Sequence, residues 1–407
     1  MAAEPMNFLK AFPKENMYSA LSESLKIKLI EAATHTVEPS ISELELRPVF
    51  FLAPLSLLGS IYGPSIAAAA KGLVAVVDDV STSSIIHGVP RWSSQEFLKR
   101  AGQYKNAVAL DFSMGPGARG MFSNLCQQAG IPRQDCVIAQ AQLGLVSVYE
   151  KVADYRSKTL ERLDDFLLLA NRFSDDHSRA TLYANLLFRI TYDRSHMLAT
   201  WANPIEEYFS SYAAPSTFSL GTKEHYCDCG AFQGPIVSKF LGATGYRYES
   251  ITAFEPDRAN FDVLQRIAPL PLANFRPINK AVSSRRQTLR FMETGTVSSY
   301  VSAAGTVNVQ TTKLDDELEK LTFLKMDVEG FEAKTLQGAS RLLRSQRPRV
   351  AACVYHYAHD LLDVMDRFDE NVSDYHFRLR QHNGSYYYDL VLYASPLAGV
   401  EPPAWAA

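Results

Sequence analysis

The sequence is poor in several features that would narrow its function quickly. Its 407 residues include only five cysteines, an odd and scattered set. That argues against a disulfide framework and suits a reducing compartment. The formal net charge is −3, so composition gives no electrostatic reason to expect nucleic acid or an anionic membrane as a partner. No run of about 18 or more apolar residues occurs, so no helix is expected to span a bilayer. The opening Met-Ala-Ala-Glu-Pro-Met6 lacks the charged-then-apolar order of a secretory signal, which makes cytoplasm the expected location. Internal repeats and low-complexity segments are missing too. What is present is an ordinary globular composition, 47% hydrophobic and 21% charged, long enough for two or three domains with separate cores.

Hydrophobic patterning divides the chain into four stretches. Residues 1–48 carry an amphipathic helix around Ser19–Ala33 and polar connecting chain. Residues 49–141 alternate strand and helix: Leu55–Leu58, a glycine turn at Gly59–Gly63, a small-residue helix Pro64–Lys71, then strands Leu73–Val77 and Asn106–Asp111. The acids Asp78 and Asp79 end the second of these strands. This order resembles a small Rossmann-like α/β domain, although its glycines do not make the three-glycine dinucleotide fingerprint, and a structural remnant is favoured over a live site. Residues 142–215 read as a helical connector, with one apolar face on Thr159–Phe173 and another on Ser178–Ile190. Asp175 and Asp176 stand where acids complement a helix N-terminus.

Residues 216–407 return to an alternating α/β pattern, with strands predicted at Glu224–Cys229, Ser250–Phe254, Asn274–Ile278, Thr322–Val328, Arg349–Val354 and Tyr387–Tyr393. Helices are expected after the first two strands, at Phe331–Leu343 and near His359–Phe368. In the loop after the first strand, Asp228, Gly230, Ala231 and Gly234 occupy a strand-to-helix turn, where glycine allows a sharp bend and close ligand approach. Pro235 suits the first helical position. Glu255 ends the second strand, 27 positions beyond Asp228, where an acid can hold the hydroxyl pair of a ribose. Asp327 and Glu329 close a later strand, and two acids held together at the carboxyl end of a sheet are costly unless they have a task. Cys227 and Cys229 are expected in the core, on the opposite side from Asp228.

These pieces occur in a recognisable order. Asp228-Cys-Gly-Ala-Phe-Gln-Gly234, Ala253-Phe-Glu-Pro256, Thr312-Lys-Leu-Asp-Asp316 and Leu324-Lys-Met-Asp-Val-Glu-Gly-Phe-Glu332 resemble the FkbM-type S-adenosylmethionine-dependent methyltransferases. The resemblance extends through Val354-Tyr-His-Tyr-Ala-His-Asp360 and covers roughly residues 165–395. It implies a C-terminal class I methyltransferase domain: a Rossmann-like, mostly parallel sheet flanked by helices. It also implies that S-adenosyl-L-methionine meets Asp228, Gly230, Ala231 and Gly234, that Glu255 takes the ribose hydroxyls, and that Asn279 and Ala281 flank the adenine. Phe232 and Gln233 are bulkier than the family's usual pair at those positions.

The implied reaction is methyl transfer to a hydroxyl of a sugar or other small metabolite. An acceptor hydroxyl must lose its proton, and His356 is the expected base, with Asp327, Glu329 and Asp360 as alternatives or as groups that orient it. Asp327, Glu329 and His356 could together hold a divalent metal, but no firm ligand spacing supports one, and none is expected. Two other classes explain part of the pattern: a nicotinamide-dependent oxidoreductase, which leaves Asp327-Val-Glu-Gly330 unaccounted for, and a non-catalytic nucleotide-binding scaffold. The acceptor and the oligomeric state are not legible.

Overall fold

The computed structural model describes residues 15–34, 47–145, 149–210, 217–267, 274–293, 299–302, 304–384 and 386–397. The strands, in chain order, begin with β1 (Val49–Leu52), β2 (Leu73–Val77), β3 (Ile85–Ile86), β4 (Val89–Trp92), β5 (Val108–Asp111) and β6 (Arg133–Asp135). These six form one sheet in the order β3-β4-β2-β1-β5-β6. Its pairings are parallel except β3 with β4, as expected for strands separated by helical crossovers.

The predicted strand at Leu55–Leu58 is not formed. The strand is the preceding Val49–Leu52, buried at all four positions. The Ser56 hydroxyl accepts the Gly59 N–H at 3.0 Å and caps a helix, Leu57–Ala69, that begins inside the predicted strand. The two acids ending β2 serve local turns. Asp78 accepts the Val80 and Ser81 N–H groups, and Asp79 accepts the Ser94 N–H at the start of the next helix.

The helix Asp176–Thr191 is buried along most of its length and supplies side chains to two apolar clusters, Leu186 and Leu187 to one and Phe188 to the other. The helix Glu15–Thr34 packs on it; Tyr18 stacks on His177 with ring centroids 3.9 Å apart. Asp175 caps the buried helix through the Ser178 N–H and pairs with Arg380 at 2.7 Å. Burial opposes ionisation of Asp175, but the Arg380 guanidinium and the Ser178 groups outweigh it and lower its pKa to about 2. The stability this contributes is fully present above the unfolded value near 3.8 and is lost as pH falls through about 2. It amounts to about 2 kcal/mol, and Asp175→Asn is expected to lose it at neutral pH and to narrow the stability gap from wild type as pH falls from 4 to 2. Urea titrations at a series of pH values check this; an unchanged gap would contradict it.

The remaining strands are β7 (His225–Cys229), β8 (Ser250–Phe254), β9 (Phe275–Ile278), β10 (Ala281–Val282), β11 (Thr288–Met292), β12 (Tyr300–Val301), β13 (Val307–Thr312), β14 (Phe323–Met326), β15 (Arg349–Cys353), β16 (Tyr375–Gln381) and β17 (Leu390–Pro396). Seven of them form a sheet in the order β16-β17-β15-β14-β7-β8-β9. All its pairings are parallel except those of β17 with β15 and β16. The chain moves outward from β7 through β8 to β9 and later from β14 to β15 on the other side. The switch point lies between β7 and β14, where open α/β sheets bind ligands beyond the carboxyl ends. The architecture is mixed α/β, a Rossmann-like, mostly parallel sheet flanked by helices.

The smaller sheet β10-β13-β11-β12 was not predicted; its strands alternate with exposed polar positions and include no apolar run. The predicted helix Phe331–Leu343 is divided into Glu332–Gln337 and Ser340–Gln346.

Candidate active site

The β7–β14 pairing sets Asp228 directly beside Lys325. Both side chains are buried, and Lys325 Nζ lies 3.0 Å from Asp228 Oδ1. Burial alone would lower the lysine pKa, but the Asp228 carboxylate reverses this and raises it, so the ammonium stays charged. The same ammonium donates to the Gly230 carbonyl at 2.7 Å. Asp228 therefore acts on the glycine loop through Lys325, and its carboxylate has no open face for a cofactor.

The glycines have an unexpected reason to be glycine. A Cβ on Gly230, at φ +77°, would sit 1.8 Å from the Asp327 carbonyl oxygen. One on Gly234, at φ +89°, would meet Ile267 at 2.1 Å. Both allow close approach between parts of the protein itself. Ala231 is buried beside them. Cys227 and Cys229 lie on the opposite side of β7, in the core.

Glu255 follows β8 and reaches back to this loop. Its Oε2 accepts the Phe232 N–H and its Oε1 the Asp257 N–H, each at 2.8 Å. Burial pushes its carboxyl up to about 7, against those two hydrogen bonds. Asn279 donates to the carbonyls of Glu255 and Pro256, so its amide holds the β8 turn in place. Ala281 lies on β10, paired with β13. Gln233 donates to Asn260 at 3.1 Å and so ties the loop to the helix Arg258–Leu264.

β14 ends at Met326, one residue short of Asp327, and the chain then turns sharply. Glu329 takes φ +57°, a conformation a non-glycine residue adopts only when its surroundings enforce it. The turn directs Asp327 and Glu329 at one histidine. His356 is 0% exposed at its side chain, with Nε2 3.3 Å from Asp327 and 3.8 Å from Glu329. Its Nδ1 lies 3.4 Å from Glu332 and 3.8 Å from Asp360. Burial would depress the imidazole pKa, but the carboxylates of Glu332, Asp327 and Glu329 overcome it and raise it well above the ordinary value. Asp327 is shifted the other way: burial works against its charge, and His356 with Lys325 more than restores it. Burial pushes Glu329 up to about 7. Tyr149 donates its hydroxyl to Glu329, and its ring stands edge-on to His356 at 5.0 Å. Tyr355 and Tyr208 donate to Asp327 Oδ1 and Oδ2 at 3.3 and 3.4 Å.

The sequence prediction of His356 as the base meets a physical obstacle. The ring is closed off from solvent and surrounded by acids that favour its protonated form. Asp327 and Glu329 remain reachable, at 28% and 17% side-chain exposure. Four participants had no role in the sequence reading: Lys325, Glu332, Tyr149 and Tyr208. Lys325 and Glu332 stood inside the Leu324–Glu332 motif, and a lysine within an otherwise apolar strand was the signal available for the first. Tyr149 lies far away in the chain and carried no local signal.

Beyond this geometry, a family model described as the methyltransferase FkbM domain matches residues 228–379. No curated protein matches. Among solved structures, the methyltransferase FkbM from Methylobacillus flagellatus KT is similar at 23% identity, over 93% of this chain and all of that one, with a TM-score of 0.78. That likeness shows a shared fold. An rRNA methylase from Streptococcus thermophilus is far more distant, at 13% identity over 44% of this chain and 91% of its own, with a TM-score of 0.29. The family match thus places a methyltransferase domain on the Rossmann-like sheet. More particularly, the matching model is of the FkbM type and covers residues 228–379.

Proposed function

We propose that the chain transfers a methyl group from S-adenosyl-L-methionine to a hydroxyl of a sugar or other small metabolite. The observation that carries the reading is the convergence, at the carboxyl ends of β7, β8 and β14, of the Gly230–Gly234 loop, the Glu255 carboxylate and the acids after Met326. The donor set fits the cofactor. Each Glu255 oxygen accepts one backbone N–H and has a further lone pair for a ribose hydroxyl. When bound, S-adenosylmethionine would supply an electrophilic methyl group on a sulfonium.

The chain's own residues then have distinct tasks. Asp228 and Lys325 hold the Gly230 loop, Ala231 and Gly234 complete it, and Asn279 and Ala281 border the adenine side. Asp327 orients the acceptor hydroxyl. Glu329 takes its proton, because it is the reachable carboxylate that the strained turn and the Tyr149 hydroxyl both fix in place. His356 is a positioning residue between the two acids. Holding the reactants in line can contribute about 7–11 kcal/mol without any covalent intermediate.

Cofactor affinity supplies the test. A ribose hydroxyl donates best to an ionised carboxylate, and Glu255 ionises as pH rises through about 7. S-adenosylmethionine is expected to bind more tightly at pH 8 than at pH 6. Glu255→Gln should flatten that dependence, and Glu255→Ala should weaken binding about 10- to 100-fold, the size of one or two hydrogen bonds to a charged group. Calorimetry on the three proteins checks this. Unchanged affinity in Glu255→Ala would make the ribose assignment wrong.

A further inference from the structure

The acidic cluster holds more negative charge than its neighbours balance. Asp327, Glu329, Glu332 and Asp360 all lie within 3.8 Å of the one imidazole of His356. An imidazolium offsets one of these charges. Among the described residues two cations stand nearby and are shared: Lys325 pairs with Asp228 as well as supporting Asp327, and Arg189 donates to the Ala358 carbonyl while acting on Asp360, so together with the imidazolium they still leave the carboxylates in excess. Crowding like-charged carboxylates in a buried place is costly unless a cation joins them.

A second observation concerns individual atoms. Glu332 and His356 are each 1% exposed. Glu332 Oε1 accepts the Val328 N–H at 2.8 Å, but Oε2 has no hydrogen-bond partner. Neither ring nitrogen of His356 makes an aligned hydrogen bond either, and its contacts at 3.3 and 3.4 Å are longer than the 2.7–2.9 Å of a charge-assisted bond. Buried polar atoms without partners are rare in folded proteins and call for an explanation. Asp327, Glu332 and His356 each offer one ligand atom, and those atoms lie within 4.8 Å of one another.

We propose that Asp327, Glu332 and His356 bind a divalent transition-metal ion at the edge of the acceptor site. The donor set selects the class. Two carboxylates and a neutral imidazole suit Mn²⁺, Fe²⁺, Co²⁺ or Zn²⁺, whereas Mg²⁺ and Ca²⁺ favour all-oxygen ligands. The bound ion takes the place of the proton on one ring nitrogen, and the carboxylate at the other nitrogen moves toward it. Glu329 stays outside this set, free for the acceptor, and Tyr149 secures it. Asp327 is the most exposed of the three ligands, so the open side of the ion faces the place where an acceptor hydroxyl would lie.

The test needs neither cofactor nor acceptor, so its result is independent of the methyl-transfer reading. Full-length protein is stripped with a chelator and titrated with Mn²⁺, Co²⁺ and Mg²⁺. The expected result is one Mn²⁺ per chain by loss of the free-ion EPR signal, a visible d–d band on adding Co²⁺, and a metal-dependent rise in Tm. Binding should weaken at least tenfold in Glu332→Gln and in His356→Ala, since even a group that only supports a ligand usually contributes about 10- to 100-fold, and should persist in Glu329→Gln. Asp327→Asn serves as a third ligand variant if either of the first two fails to fold. Two results would overturn the proposal: no binding by the wild-type protein, or Mn²⁺ affinity unchanged in the folded ligand variants. Equal binding of Mg²⁺ with no Co²⁺ band would overturn the assignment to a transition metal.

Discussion

Replacing Glu329 with glutamine is expected to lower kcat by about 10²- to 10⁴-fold, the usual contribution of a placed base, while cofactor affinity stays near that of the wild type. The substitution keeps the shape of the side chain and its ability to accept the Tyr149 hydroxyl, so folding should be little affected. Only the capacity to take a proton is removed. The histidine cannot replace it, because His356 is sealed from solvent and held between acids. Single-turnover rates, measured beside calorimetric titration of the cofactor, separate chemistry from binding. Undiminished methyl transfer by the variant would move the base elsewhere in the cluster.

Lys325→Met should cost about 3–5 kcal/mol of stability, because it leaves the Asp228 carboxylate buried and unpaired. The cross-strand register places the two residues side by side, and among the described residues no other cation forms an ion pair with Asp228. The double variant Lys325→Met with Asp228→Asn is expected to recover most of the loss, since no buried charge remains. Chemical denaturation of the two variants and the wild type measures the difference. If Lys325→Met alone were as stable as the wild type, the pair would have no part in holding the loop.

The contrast between these two predictions reflects what the sequence made legible. Strands such as Ser250–Phe254 were found to the residue, because buried parallel strands read as short apolar runs bounded by turns. The ordered motifs single out Asp228, Glu255, Asp327 and Glu329. What they did not reveal was how each side chain is used. The glycines at 230 and 234 read as a cradle for a ligand, yet a Cβ there meets Asp327 and Ile267. Asp228 read as a cofactor contact, but cross-strand pairing commits it to Lys325. The cluster around His356 draws on residues 149, 327, 329, 332 and 360, which only the tertiary fold brings together. For the same reason no metal was expected from spacing: Glu332 and His356 are held by different helix and loop segments. The error at Leu55–Leu58 is local. A serine cap turned an apolar run into a helix start.

The central claim is that the site beyond β7, β8 and β14 binds a sulfonium cofactor. Calorimetric titration of the full-length protein with S-adenosylmethionine, S-adenosylhomocysteine and NAD(H) tests it most directly. The account predicts saturable binding of both adenosyl compounds at one site, weakened in Glu255→Ala, and no heat from NAD(H). Tight binding of NAD(H) with none of S-adenosylmethionine or S-adenosylhomocysteine would contradict it.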